Sequence, residues 1–170
     1  MYNIYPLWPT ADIKALNSNG DVVGGGGIWF HNDFSFSSID GVLNDVNDGD
    51  IAVGMGFGVY SGRPIMVNNG VITDLSTLNG ADKASEAYAI NNNGLICTST
   101  EFENGGLIID IAHSTVTNLS FAGMSNPQPY TINLDGDFAG TCMVNGNLHG
   151  FWSRGPTCAD LGPVEYPPKS

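Results

Sequence analysis

The feature that most constrains the fold of this chain is a turn sequence that occurs four times along it. Its copies lie at residues 16–24, 46–54, 90–96 and 132–140, at intervals of roughly forty residues, the size of a repeat unit. Each copy places Asn and Gly between apolar residues of high strand propensity, as expected for a tight turn between two strands. We therefore interpret the chain as a repeat protein.

The segments around each turn predict a unit of four short strands. In the clearest copy, an apolar strand at 64–67 leads through an Asn-Gly turn to a return strand at 72–75. A Gly-bearing loop at 76–80 then leads to a third strand at 87–90, and a fourth strand follows the next turn. We predict a single repeat domain over residues 1–170. Its units cover residues 12–40, 41–80, 84–120 and 126–162.

Repeated four-stranded units of this size predict an all-β, β-propeller-like fold of about four short antiparallel sheets, with essentially no helix. No stretch spaces apolar residues as a helix would, and residues 81–89 are better interpreted as a loop that enters a strand. A β-solenoid and a β-sandwich are the alternative folds. The units either close into a four-bladed ring or form an incomplete set completed by a second copy. Residues 2–8 form a candidate strand that would pair with the last unit.

Two consecutive segments carry a resemblance to a known family. Residues 69–80 contain Asp-Leu-x-x-Leu, and residues 87–94 contain Ala-Ile-Asn followed by Gly94; together they resemble the HAF repeat of bacterial, extracellular repeat proteins. The resemblance implies a propeller-like fold and a secreted or extracellular setting, and it implies no specific chemistry. The position that gives the repeat its histidine is occupied by Gly26, Arg63, Gly105 and His149. A function that needs a ring of histidines is therefore not expected.

The composition fits a turn-rich all-β protein with an acidic surface. Hydrophobic residues make up 42% of the chain and charged residues 13%, with 23 glycines. The net charge is -12 and the five Lys and Arg residues are scattered, which argues against nucleic acid and anionic membrane surfaces as partners. No apolar run is long enough to cross a bilayer, and the first residues show no signal peptide, so we expect no membrane insertion.

The three cysteines, Cys97, Cys142 and Cys158, cannot all pair within the chain. Because none forms a Cys-x-x-Cys motif, structural zinc is disfavoured. We favour buried apolar residues, since free cysteine is among the most buried residue types. A Cys142–Cys158 or a Cys97–Cys142 disulfide is the alternative.

Chemically active side chains form no recognisable catalytic or metal motif. His31, His113 and His149 lie in separate units without a second ligand at metal-binding spacing. Residues 45–50 alternate oxygen-bearing side chains around Gly49, but their register departs from that of a calcium loop, so a β-turn is favoured over a calcium site. No motif of a catalytic nucleophile is present. A pair of carboxylates that hydrolyses a glycosidic bond remains an alternative, because such a pair forms only in three dimensions. We predict a protein that is not an enzyme, with no catalytic residues, cofactor or metal.

Aromatic residues beside Gly-rich turns are the clearest indication of a ligand. Trp29, Tyr60 and Trp152 have polar neighbours, and flat aromatic faces flanked by polar groups are typical of sugar-binding surfaces. Packing between units is the alternative role for these aromatics. The predicted ligand-binding set is Trp29, His31, Tyr60, Arg63, His149, Trp152 and Arg154.

From these residues we predict a non-enzymatic module that binds neutral carbohydrate, or another small neutral ligand, in shallow clefts between units. The first alternative is an acidic module that binds a basic protein or sequesters a small metabolite. The second is a glycoside hydrolase or lyase. A homo-oligomer is compatible with all three, because incomplete repeat sets bury their ends against further units.

Overall fold

The protein is an all-β molecule. The computed structural model describes residues 12–32, 35–100, 105–155 and 157–164. Within these ranges the chain forms fourteen strands and two single-turn 3-10 helices, Gly58–Tyr60 and Leu75–Thr77, and it contains no α-helix. The predicted all-β character and the near absence of helix are confirmed within these ranges. The candidate strand at 2–8 lies outside the described residues.

The strands form three antiparallel sheets, and within each sheet they are paired in chain order. The first sheet contains β1 (Ile13–Leu16), β2 (Val22–Trp29), β3 (Phe36–Val46), β4 (Ala52–Gly56), β5 (Arg63–Asn68) and β6 (Val71–Asp74). The second contains β7 (Ala84–Ile90), β8 (Leu95–Thr100), β9 (Leu107–Asp110) and β10 (Thr115–Asn118). The third contains β11 (Ser125–Ile132), β12 (Phe138–Val144), β13 (Asn147–Arg154) and β14 (Thr157–Pro163).

The prediction of about four sheets needs correction, because the first two units share one six-stranded sheet. Strand β3 is continuous across the predicted boundary between residues 40 and 41; its first part pairs with β2 and its second part with β4. Strand β2 likewise pairs with β1 through its first residues and with β3 through its last ones. The first unit therefore lacks the hairpin that separates the second and third strands of the other units.

The glycines at 24–27 permit this arrangement. A Cβ atom on Gly24 would overlap the carbonyl oxygen of Asp12, and a Cβ on Gly27 would overlap that of Ser37. Both oxygens belong to neighbouring backbone of the same sheet, next to irregularities in strand register. Gly24 and Gly27 therefore allow adjacent backbone segments to approach closely.

The first three repeated turns share one hydrogen-bonding pattern, built by the Asn at their first position, and in the fourth turn Asn133 Oδ1 accepts from the backbone N–H of Asp137. In the third turn, Asn91 Oδ1 accepts hydrogen bonds from the backbone N–H groups of Asn93 (3.0 Å) and Leu95 (2.9 Å). The side chains of Asn17 and Asn47 accept equivalent pairs of bonds in their own turns. An Asn side chain that closes its own turn explains why this residue type recurs.

The same Asn side chains join one turn to the next, in an arrangement that we call the asparagine ladder. Asn17 Nδ2 donates to the carbonyl of Asn47 (3.1 Å), and Asn47 Nδ2 donates to the carbonyl of Asn91 (3.2 Å). Asn91 Nδ2 donates to the carbonyl of Asn133 (2.9 Å). Because the three donor residues are between 5% and 7% exposed, these bonds lie in a protected environment that strengthens them.

Three apolar clusters hold the units together, one at each junction between consecutive units. The first includes Val23 and Ile65, the second Val53 and Ile96, and the third Cys97 with a neighbouring group of aromatic rings. That aromatic group consists of Phe121, Phe138 and Phe151. The second and third units thus bury one face against the preceding unit and the other against the following unit, as the inner units of a repeat architecture do.

Candidate functional site

The structure distributes the seven predicted ligand-binding residues over three regions. Trp29 and His31 belong to the first unit, Tyr60 and Arg63 lie at the loop between β4 and β5, and the other three lie on β13. Those three are His149, Trp152 and Arg154. Of the seven, Arg63 lines the larger cleft described below.

This cleft, the Arg63 cleft, lies at the junction between the second and third units. It has a volume of about 600 Å³ and is bounded by the end of the β4–β5 loop and by the segment that leads into β7. Its lining residues are Ser61, Gly62, Arg63, Ser76, Asp82, Lys83 and Ala84. The lining is dominated by hydroxyl and charged groups and contains no aromatic ring.

Arg63 is held in place by a carboxylate at the side of the cleft. Its Nη1 donates to Asp74 Oδ2 at 2.7 Å, and Asp74 Oδ1 accepts from the hydroxyl (2.6 Å) and the backbone N–H (2.9 Å) of Ser76. Burial alone would raise the pKa of Asp74, but the hydrogen bonds from Ser76 and Arg63 hold it below its ordinary value. The Arg63 side chain remains 53% exposed, so its other N–H groups face solvent.

The cleft brings two basic side chains together, beside the carboxylate of Asp82, in a strongly acidic protein. The chain has five Lys and Arg residues and a net charge of -12, and two of the five, Arg63 and Lys83, line this one cleft. Sequence reasoning identified Arg63 but missed Lys83, Ser61 and Ser76. Nothing in the repeat pattern marks those three residues, because loops separated along the chain bring them together.

The predicted residues on β13 lie on opposite faces of their sheet. Side chains alternate along a strand, so Trp152 and Arg154 share one face while His149 lies on the other. Arg154 is 5.5 Å from the centre of the Trp152 ring, and it donates to both carboxylate oxygens of Asp137 at 2.7 to 3.0 Å. These hydrogen bonds lower the pKa of Asp137. Arg154 therefore fixes the start of β12, and the structure separates it from His149.

The remaining predicted residues contact neighbours in the first two units. The Trp29 and His31 rings are 5.9 Å apart in an edge-on arrangement, and the backbone N–H of His31 donates to Asp21 Oδ1 at 2.7 Å. Tyr60 is half-buried and packs against the apolar cluster at the first junction. Core packing, the alternative role for the aromatics, therefore applies to Tyr60.

Three neighbouring side chains resemble a nucleophilic triad, namely Cys142, His149 and Asp160. The environment of the thiol does not suit that role. Cys142 is the cross-strand neighbour of His149, and His149 Nδ1 is 2.7 Å from Asp160 Oδ1. Cys142 is 1% exposed, and burial raises the pKa of its thiol. A protonated, enclosed thiol is a poor nucleophile.

The cysteines belong to the apolar interior, as the favoured interpretation expects. All three are free, so neither disulfide alternative forms. Cys97 is fully buried at the third junction, and burial raises the pKa of its thiol to about 12. Cys158 is half-buried with its sulfur 3.5 Å from that of Met124.

The acidic residues around the second turn have protein donors as partners. Asp45 accepts hydrogen bonds from the backbone N–H groups of Val46 and Ile90, both at 2.9 Å, and so links the second and third units. Asn17 Nδ2 donates to Asp21 Oδ2 (3.0 Å) and also lies 3.1 Å from Asp50 Oδ1. An amide donor thus lies between the two carboxylates. Within the described residues, no group of three or more His, Cys, Asp or Glu side chains is placed to hold a metal ion.

Comparisons with protein families and with curated proteins identify no relative of this chain. No model of a known protein family matches the chain, and a search of curated proteins finds no match. None of the helices in the described ranges is long and apolar enough to span a membrane.

Proposed function

We propose that this protein is a non-enzymatic binding module whose four units are arranged like propeller blades of the HAF type. The support for a blade-like arrangement comes from the turns. Residues of all four turns, among them Leu16, Asn47, Asn91 and Leu134, line one common groove of about 240 Å³. Units that converge at their turns and stack face to face on their neighbours are packed as blades are. The HAF resemblance adds an extracellular setting to this proposal.

The ligand of the Arg63 cleft is an acidic saccharide. Arg63 and Lys83 would bind a carboxylate on the sugar, while Ser61, Ser76 and Asp82 would exchange hydrogen bonds with its hydroxyl groups. The observation that carries the proposal is the pairing of two scarce cations in one hydroxyl-lined cleft between units. Since Asp74 already orients Arg63, little side-chain entropy is lost on binding.

The proposal keeps the predicted ligand class and changes its charge. A neutral sugar was expected on aromatic platforms, but the residues that line this cleft include none of the aromatic side chains. The two cations favour a carboxylated sugar over its uncharged analogue.

A matched pair of ligands tests the proposal. Isothermal titration would compare an oligogalacturonide with the same oligosaccharide after methyl esterification, which removes the charge and keeps the hydroxyls. We expect binding of the acidic form only, weakened about tenfold by Lys83→Ala, the loss of one charge-assisted hydrogen bond. Lys14→Ala, which removes an exposed cation of the first unit, is the control and should leave the affinity unchanged. Equal binding of both forms, or binding of neither, would refute the proposal.

The net charge of -12 favours a second candidate, the capture of a basic protein segment. The same variant separates the two functions. Lys83→Ala should weaken the binding of an acidic saccharide. For a lysine-rich peptide the same substitution removes a repulsive charge, so it should slightly strengthen binding. A peptide affinity that falls in this variant would contradict the second candidate.

A further inference from the structure

The repeat leaves one unpaired face at each end of the series of units, and the two faces match. In each unit, the second strand presents one residue toward the preceding unit and the next residue toward the following unit, because side chains alternate. We call the face toward the preceding unit the leading face, and the face toward the following unit the trailing face. Both are defined by equivalent cross-strand pairs in the four units.

The leading face is built from a pair of apolar residues that flank each repeated turn. In the second and third units these pairs are Val46–Ala52 and Ile90–Ile96, whose members are between 0% and 5% exposed against the unit before them. The equivalent pair of the first unit is Leu16–Val22. Leu16 is 65% exposed, so this leading face is open to solvent, whereas the equivalent faces of the second and third units are buried.

The trailing face follows the same rule. Val53 pairs with Met66 and packs against the third unit, and Cys97 pairs with Ile108 and packs against the fourth. The equivalent pair in the fourth unit is Ala139 and Trp152, and both are only half-buried. Around the pair, this face carries the apolar residues Met143, Leu148, Ala159 and Leu161, with the charged Arg154 beside Trp152. No strand described in the first sheet pairs with this sheet.

The asparagine ladder ends in complementary groups at the same two faces. Asn133, at the trailing end, is exposed, and its Nδ2 reaches only Asp137 Oδ2 of its own turn, at 3.4 Å, among the described residues. At the leading end, the carbonyl of Asn17 accepts from Gly20 N–H of its own turn, and the described residues supply no donor from another turn. A ladder donor is thus available at one end and a ladder acceptor at the other.

We propose that the trailing face of one chain binds the leading face of a second copy, continuing the internal stacking between molecules. Trp152 and Ala139 would pack on Leu16 and Val22, and Asn133 Nδ2 would donate to the carbonyl of Asn17 in the second copy. Such a head-to-tail contact uses two different surfaces and therefore builds a ring or a filament. It is independent of the ligand in the Arg63 cleft.

The contact is weaker than the internal junctions, for two physical reasons. The amide of Asn93 donates to the carbonyl of Leu134 across the third junction, but the equivalent residue in the fourth turn is Asp135, which has no donor. Each copy also has a net charge of -12, so the copies repel each other. We expect reversible association that strengthens with protein concentration and with added salt, which screens the repulsion.

Sedimentation velocity on three variants tests the contact. Leu16→Asp places a charge on the leading face and Leu161→Asp places one on the trailing face, and both residues are 65% exposed, so the fold should tolerate the change. Each variant alone should be monomeric under conditions in which the unchanged protein associates. Val71→Asp, at an equally exposed position outside both faces, is the control and should associate normally.

Mixing the two monomeric variants gives the decisive result. A Leu16→Asp chain keeps its trailing face and a Leu161→Asp chain keeps its leading face, so the mixture should form a dimer. Trp152→Ala is a second trailing-face variant, and circular dichroism of all variants would verify folding. The proposal is overturned if the unchanged protein is monomeric at every concentration and salt level, as it would be if residues 1–11 covered these faces within one chain. It is also overturned if only one of the two variants dissociates, because the contact would then join two identical faces.

Discussion

Three of the repeated Asn residues, Asn17, Asn47 and Asn91, have two roles, and only one of these roles is evident in the sequence. The flanking apolar residues and the nearby Gly predicted the turn, which Asn91 closes through its Oδ1 atom. The bond from its Nδ2 atom to Asn133 spans 42 positions and depends on how the units stack. No local pattern carries that information. The recurrence of the same residue in four turns is the only trace of the ladder in the sequence.

An isosteric substitution separates the two roles of this residue. Asn91→Asp keeps the acceptor that closes the turn but places a carboxylate against the carbonyl of Asn133. We expect a loss of about 2–4 kcal/mol in the free energy of unfolding, measured by urea denaturation, since a buried bond is lost and an oxygen is left without a donor. Asn69→Asp adds the same charge in an exposed turn and should cost less than about 0.5 kcal/mol. Equal losses in the two variants would contradict the ladder.

At the scale of the element, strands were easier to predict than their grouping into sheets. The turn and the apolar alternation located most strands of the last three units. The first unit was assigned the same four strands, but β2 and β3 are continuous there and merge two units into one sheet. The four consecutive glycines were the available signal. Their meaning depended on which backbone lies beside them, and this is set by strand register rather than by composition.

A pair of glycines on neighbouring strands of the third sheet tests this view of close backbone approach. A Cβ on Gly140 would overlap the carbonyl oxygen of Gln128, whereas a Cβ on Gly150 would lie 3.6 Å from the side chain of Leu161, an ordinary contact. Gly140→Ala should lower the free energy of unfolding by about 2–3 kcal/mol, because rigid backbone must move. Gly150→Ala should leave the urea midpoint nearly unchanged. A similar loss in both variants would mean that the backbone clash is not the cause.

At the scale of the whole molecule, the period predicted an all-β repeat protein, and the proposed ligand site was only partly predictable. Arg63 was identified as a polar neighbour of the aromatic residues beside the Gly-rich turns. Lys83 was missed because the cleft exists only where two loops meet. Trp152 was assigned to a ligand, whereas its position in the repeat is that of a residue that packs between units.

The carboxylates predict a stability maximum at mildly acidic pH. Asp74 and Asp137 have pKa values below the ordinary 3.8, so their contribution is complete above that value and is lost as the pH falls through their folded pKa. Burial raises the pKa of Asp45, so its unfavourable charge is relieved on mild acidification. Urea midpoints should therefore rise slightly as the pH falls toward the raised pKa of Asp45, and they should fall once the pH drops below about 3.8, where Asp74 and Asp137 become protonated.

A charge-matched pair of variants checks the origin of the acid limb. Asp137→Asn removes the carboxylate that binds Arg154 and should flatten the fall in stability at low pH. Asp135→Asn, at an exposed position two residues away, should leave the profile unchanged. A midpoint that keeps rising below pH ~4 would contradict the assignment of these carboxylates.

The two continuous strands of the first sheet also determine how the molecule would come apart under tension. A force on the chain ends is borne along the hydrogen-bonded backbone of the six-stranded sheet, which has no internal boundary at which to part. The second and third sheets are separate bodies, each joined to its neighbour by a packed face and a few bonds at the turns. Extension would therefore release the last unit first, then the third, and the first two together in a single rupture.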